Sequence, residues 1–146
     1  MVNRPKNEGQ QVIHNIDQII AARELCRQIM ADTGLNLEIF EVVYPNKNLP
    51  SEFLLVKSIV QSNDGSPIGD GTVEICIYAA NNNKADDQSQ PNKHRLKELS
   101  DIFVPRFKNA SKNKIAFNNF RMDLVRDSNI RCFYQSIVIN TASINV

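Results

Sequence analysis

The spacing of apolar residues switches along this chain, and each switch marks a new element. From Gln11 to Thr33, the residues Ile13, Ile16, Ile19, Ile20, Cys26, Ile29 and Met30 recur at steps of three and four or their sums. That period places them on one face of an amphipathic helix. "DTG" ends the run, with Gly34 supplying the left-handed residue that commonly follows a helix. The period then drops to two. In "LNLEIFEVVYP", Leu37, Ile39 and Val43 alternate with Glu38, Phe40 and Val42, which reads as a strand stopped by Pro45. After the turn "NKNLP", "SEFLLVKSIVQS" reads as a second strand, apolar on both faces apart from Lys57 and Ser58. "NDGSPIGDG" is loop chemistry. A third strand, Thr72 to Ala80, sets Val73, Ile75 and Ile77 against Glu74, Cys76 and Tyr78 on its other face.

A polar stretch, Asn81 to Pro91, separates that strand from a second helix starting near Pro91. Proline suits the first helical position because its missing N–H has no partner there. Leu96, Leu99, Ile102, Phe103 and Phe107 form the buried stripe, and Pro105 should kink or end the helix. Beyond the connection "NASKNK", Phe120, Met122 and Leu124 alternate as a fourth strand. "RDSN" is a turn in which Asp127 and Asn129 can bond their own backbone. A last strand runs from Ile130 to about Thr141, carrying Phe133, Ile137 and Ile139 on one face.

The order α-β-β-β-α-β-β predicts an α+β domain: a mostly antiparallel sheet, opening with a three-stranded meander, with two helices on one face. Residues 11–146 form this one domain, and 146 residues suffice for a core without staples. Residues 1–10, polar with Pro5 and Gly9, read as a flexible arm. The helices leave one sheet face bare, and Phe40, Leu54, Val56, Cys76 and Tyr78 are expected on it. So apolar a face is expected to meet something, whether a twist of the sheet, the C-terminal strand or a second subunit.

Composition narrows the function. A formal charge of +1, with Lys and Arg scattered, argues against nucleic-acid binding. Cys26, Cys76 and Cys132 each lie in an apolar periodic segment and read as buried, reduced thiols. No Cys/His spacing suggests zinc, "MVNRPKNEGQ" lacks a signal peptide's apolar run, and no stretch approaches a membrane span. A reducing cytoplasm is the expected place of assembly.

Catalytic chemistry finds little support. Nucleophilic catalysis needs a base oriented by a third group. His14 and His94 both sit among polar neighbours and read as solvated surface residues. "NDGSPIGDG" leads into a strand, so no helix end points at an anion, and it fails the calcium-loop pattern. Asp86 and Asp87 have nothing nearby to desolvate them, so they stay ionised and make poor acids. Lys97 and Asp101 are spaced as an exposed ion pair on the second helix. No catalytic residue, cofactor or metal site is expected.

At "GTVEICIYAANNN", followed by a polar connection, "HRLKELSDIFVPRF" and a closing "DSNIRCFYQSIVINTAS", the chain resembles a known family. These are the tail-terminator, or tail-completion, proteins of long-tailed bacteriophages and the head–tail joining proteins that share their fold. The likeness covers roughly Gln11 to Ser143 and rests on residue types rather than invariant chemistry. The resemblance implies a structural protein that forms a homo-oligomeric ring, commonly a hexamer. Such a ring caps the tail tube and docks it to the head. The implied partners are the chain itself, the tail-tube protein and the head–tail connector proteins. The genome passes through the lumen without sequence-specific contact, and no membrane is involved. The implied location is the virion neck or tail, after assembly in the bacterial host's cytoplasm.

A ring closed by head-to-tail contacts needs two unlike patches on each subunit. The open sheet face, with Tyr78, and an edge strand are expected to supply one; the loop with Asp64, Ile68 and Asp70 and the stretch with Asn82, Asn83, Asp86 and Asp87 are expected to supply the other. The polar arm and Pro105 depart from the family texture. At about eleven residues, Asn81–Pro91 exceeds the usual connection of ~4–6, and is expected to be mobile in the free subunit and ordered in a ring. The alternative reading is a small-molecule-binding α+β domain that uses the open sheet face as a pocket wall.

Overall fold

A computed structural model of the chain describes residues 15–59, 71–81 and 90–143. Its elements are α1 (Asn15–Thr33), β1 (Glu38–Glu41), β2 (Glu52–Ile59), β3 (Gly71–Ala79), α2 (Lys93–Phe107), β4 (Ser111–Lys112), β5 (Ile115–Asp127) and β6 (Cys132–Ser143). The strands form one six-stranded sheet in the order β1-β2-β3-β6-β5-β4. The helices bury Val73, Ile75, Ile77, Leu54, Val56, Ile137 and Ile139 beneath them in the main core. This is the expected α+β architecture, with one strand more than the periodicity reveals.

The buried face of α1 is Gln18, Ile19, Ala21, Ala22, Leu25, Cys26, Ile29 and Met30. Ile16 is instead 63% exposed. At ~100° per residue, Ile16 and Ile20 fall on the far side of that face, and small alanines complete it. Gln18 is buried at the start of α1 against Gly71, where a side chain's Cβ would come within 2.1 Å of its amide. Gly34, at φ +76°, ends the helix as expected. α2 starts two residues later than expected. Asn92 caps it, accepting a hydrogen bond from the Arg95 N–H at 3.2 Å, and Pro91 lies outside. Leu96, Leu99, Phe103 and Phe107 are buried, and Pro105 sits on the exposed side of the last turn. Its missing N–H cannot bond the Asp101 carbonyl, and the helix ends two residues later, near the expected stop.

The expected meander is corrected at its first strand. β1 pairs parallel to β2, with Glu38 opposite Phe53 and Glu41 opposite Val56. The strand ends at Glu41, not at Pro45. Val42 takes φ +69° and Val43 N–H bonds the Glu41 carbonyl at 2.7 Å, a tight turn over three residues. The chain then returns across the sheet, with Tyr44 and Leu49 packed on Phe53, Tyr78 and their neighbours. It enters β2 at the end where β1 began. Antiparallel pairing holds for β2 with β3, β3 with β6, and β6 with β5.

The faces of β2 are also the reverse of the expectation. Leu54 and Val56 join the helix-side core, while Phe53 and Leu55 lie on the other face with Phe40, Cys76 and Tyr78. Lys57 falls on that second face opposite Glu74, which fixes the alternation. β5 begins at Ile115, five positions before the alternation read from the sequence. A two-residue turn joins it to β4, with Asn113 at φ +52° and Lys114 at φ +65°, the signs a type I′ turn requires. A bulge between Asn118 and Phe120, with Asn119 at φ +55°, puts Ile115 and Phe117 out of phase with Phe120 and Met122.

Candidate functional site

The second sheet face holds the polar and aromatic cluster most suited to recognition. It is built on one line across the sheet: Phe53 of β2 faces Tyr78 of β3, which faces Tyr134 of β6. Directly opposed side chains on neighbouring strands lie close enough to stack. The Phe53 and Tyr78 rings stack at 4.4 Å and those of Tyr78 and Tyr134 at 4.8 Å. The returning leg after β1 adds Tyr44 edge-on to both Phe53 and Tyr78 at 5.7 Å, and Phe40 meets Phe53 at 5.5 Å. All three tyrosines of the chain meet here.

Asp127, the last residue of β5, ties the cluster together. Its Oδ1 accepts the Asn129 N–H at 3.0 Å, the self-bonding turn expected of "RDSN". Its Oδ2 accepts the Tyr44 hydroxyl at 2.8 Å and the Tyr78 hydroxyl at 2.9 Å. The carboxylate thus joins three segments far apart in sequence. Burial, then the hydrogen bond to Asp127, pushes Tyr44 up to about 12 and holds Tyr78 well above the ordinary phenol value. Burial alone as leading cause pushes Tyr134 up to about 12 and the Cys132 thiol to about 11. Cys26 and Cys76 are raised further by burial. These tyrosines are therefore neutral hydrogen-bond donors, and the thiols are protonated small hydrophobes.

Beside the cluster lies a cleft of about 610 Å³ between the leg at Val42–Asn46 and the turn at 126–130. Tyr78, Tyr134 and Leu55 line it, with Lys57 among its polar groups. Lys57 Nζ lies 3.5 Å from Glu74, whose carboxylate also accepts the Ser136 hydroxyl at 2.5 Å. Such a cleft can stack an apolar or planar group and hydrogen-bond its edge. Among the described residues, no group of three His, Cys, Asp or Glu is placed to hold a metal ion.

Of the residues expected to make contacts, only Tyr78 is described, and it is 2% exposed in the centre of this cluster. It is a structural floor rather than a projecting contact. Asp64, Ile68, Asp70, Asn82, Asn83, Asp86 and Asp87 lie outside the described residues, as do His14 and the arm at 1–10. The polar stretch does start from a fixed point. The Asn81 amide donates to the Arg131 carbonyl at 3.0 Å and accepts the Phe133 N–H at 3.2 Å. His94 is exposed, 3.5 Å from Glu98, and Lys97 bonds Asp101 at 2.7 Å, both on a solvated helix face. Sequence reasoning passed over Tyr44, Asp127 and Tyr134 as site residues. The two tyrosines share one signal, the scarcity of that residue, and Asp127 shows only as a turn residue; residue spacing reveals nothing of their convergence.

The chain matches no protein-family model, and no curated protein matches it. No helix among the described residues is long and apolar enough to cross a membrane.

Proposed function

We propose that this chain is a structural protein of the head–tail junction in a long-tailed bacteriophage. On this reading it resembles the tail terminators, assembles with copies of itself into a ring, caps the tail tube and docks it to the head. It works without catalysis or cofactor, and it resides in the virion neck or tail. The observation that carries the reading is the run of elements in which "GTVEICIYA" forms β3 and "HRLKELSDIFVPRF" forms most of α2, with the β5–β6 hairpin after them. Two further features support it. The titratable groups of the aromatic cluster are engaged or neutral, as in a surface that binds rather than reacts. The exposed apolar pair Val42 and Val43 at the cleft and the pair Met122 and Leu124 on β5 are unlike patches of the kind that a head-to-tail ring needs. The proposal is tested by light scattering on the chain alone and with the tail-tube protein. Ring-sized complexes are expected with the tube protein, and monomer in both samples would overturn the reading.

The cleft beside Asp127 favours a second reading, a small-molecule-binding domain. Its floor is the sheet face at Leu55, Tyr78 and Tyr134, and its rim carries Val42, Val43, Lys57 and Asp127. A thermal-shift screen against metabolites separates the two readings. A strong, selective hit supports the pocket, and a flat response leaves the structural role.

A further inference from the structure

We propose that the outer edge of β5 pairs with the same edge of a second copy of this chain, forming a two-fold symmetric dimer with a continuous sheet. β5 lies near one end of the strand order, and its only other neighbour, β4, pairs with it just at Ile115 and Ala116. Among the described residues, nothing pairs with the outer edge of β5 beyond the bulge. Such an edge presents a row of free backbone N–H and C=O groups, which invites another strand. The opposite edge of the sheet is guarded. β1 has four residues with glutamate at each end, and Glu41 is held by Arg23.

The side chains of β5 select both the partner and the register. In antiparallel pairing, opposed residues share a face, so only registers with like parity keep the apolar side chains together. Phe120 and Met122 lie on the helix side, opposite Ile139 and Ile137, with Leu124 next in that row. Met122 is 51% and Leu124 38% exposed, because the helices do not cover this end of the strand. Arg121 and Asp123 lie on the other face, both exposed. Centred on Met122, self-pairing sets Arg121 opposite Asp123 of the partner subunit, and the reverse by symmetry. It also sets Phe120 opposite Leu124 of the partner subunit and Met122 opposite its own copy.

The neighbouring registers are worse. Centring on Arg121 or on Asp123 opposes like charges, which is unfavourable in a sheet. Centring on Leu124 sets Met122 opposite Arg126. An edge carrying one sign of charge would repel a copy of itself, whereas this edge alternates and complements itself. Such a contact is isologous and closes on two subunits, so it is distinct from a head-to-tail ring contact. It stands whether or not the ring reading does.

Sedimentation velocity over a concentration series tests the pairing on the whole chain. The wild-type protein is expected to dimerise reversibly. Arg121→Asp and Asp123→Arg each oppose like charges twice, and each should weaken dimerisation by at least about tenfold. Mixed together, these two variants place Asp against Arg at both positions, so the mixture is expected to form a heterodimer. Met122→Lys should also be monomeric, with an unchanged far-UV circular dichroism spectrum because the site is half exposed. A wild-type chain that stays monomeric up to about 0.1 mM overturns the proposal. So does a mixture that does not associate, or an assembly unchanged in Met122→Lys.

Discussion

Asp127 satisfies a backbone N–H and two tyrosine hydroxyls, one of them on the fully covered Tyr78. Replacing it with alanine would leave the Tyr78 hydroxyl without this acceptor inside the cluster. The expected loss is about 1–3 kcal/mol, read as the free energy of urea unfolding. Tyr78→Phe should cost less, because it removes donor and desolvated hydroxyl together. The double variant should cost less than the sum of the two, as expected when residues share a bond.

The same tyrosines give the molecule an alkaline limit. Their folded pKa values are raised, so the neutral form is favoured in the native state and the unfolded chain releases its phenolic protons first. Stability from this source is complete below the ordinary phenol value near 10 and is lost as pH rises toward about 12. Urea midpoints should therefore hold from pH 7 to about 9 and fall above about 10, and Tyr44→Phe should blunt the fall. A midpoint that rises through that window would contradict the assignment.

Among the elements, the turn at Val42 decides the topology. A β-branched residue at φ +69° is strained, and Val42 is 57% exposed, so little packing offsets the strain. Val42→Gly should stabilise the protein by about 0.5–1 kcal/mol in the same urea assay, relief of strain exceeding the entropy glycine adds to the unfolded chain. This turn also shows where the sequence stops being legible. Val42, Val43 and Tyr44 continue the alternation of β1, and nothing in their composition announces a reversal. Both helices, β3 and β6 could be read, because each has one clearly apolar face and a recognisable start or stop. β2 could be placed but not faced, since both its faces are apolar and only Lys57, through Glu74, fixes the register. β5 was read short because the bulge at Asn119 breaks its period. The site was least legible of all. Asp127 carried a correct local signal as a turn residue, but its bonds to Tyr44 and Tyr78 depend on a chain path that the sequence does not encode in any local pattern.

On the scale of the whole molecule, the fold resolves a question its composition raises. A two-helix layer leaves one sheet face bare, and the leg after β1 turns back to cover part of it with Tyr44 and Leu49. Among the described residues, the exposed large apolar side chains are Ile16 on the outer face of α1, Val42 and Val43 at the cleft, and Met122 and Leu124 on the β5 edge. The fold thus closes its own core and leaves these few apolar groups at the surface. The most direct test is native mass spectrometry of the chain, alone and mixed with a phage tail-tube protein. The account predicts a closed ring of identical subunits bound to the tube protein, with no more than weak association of the chain alone. A chain that stays monomeric or paired in both samples would contradict it.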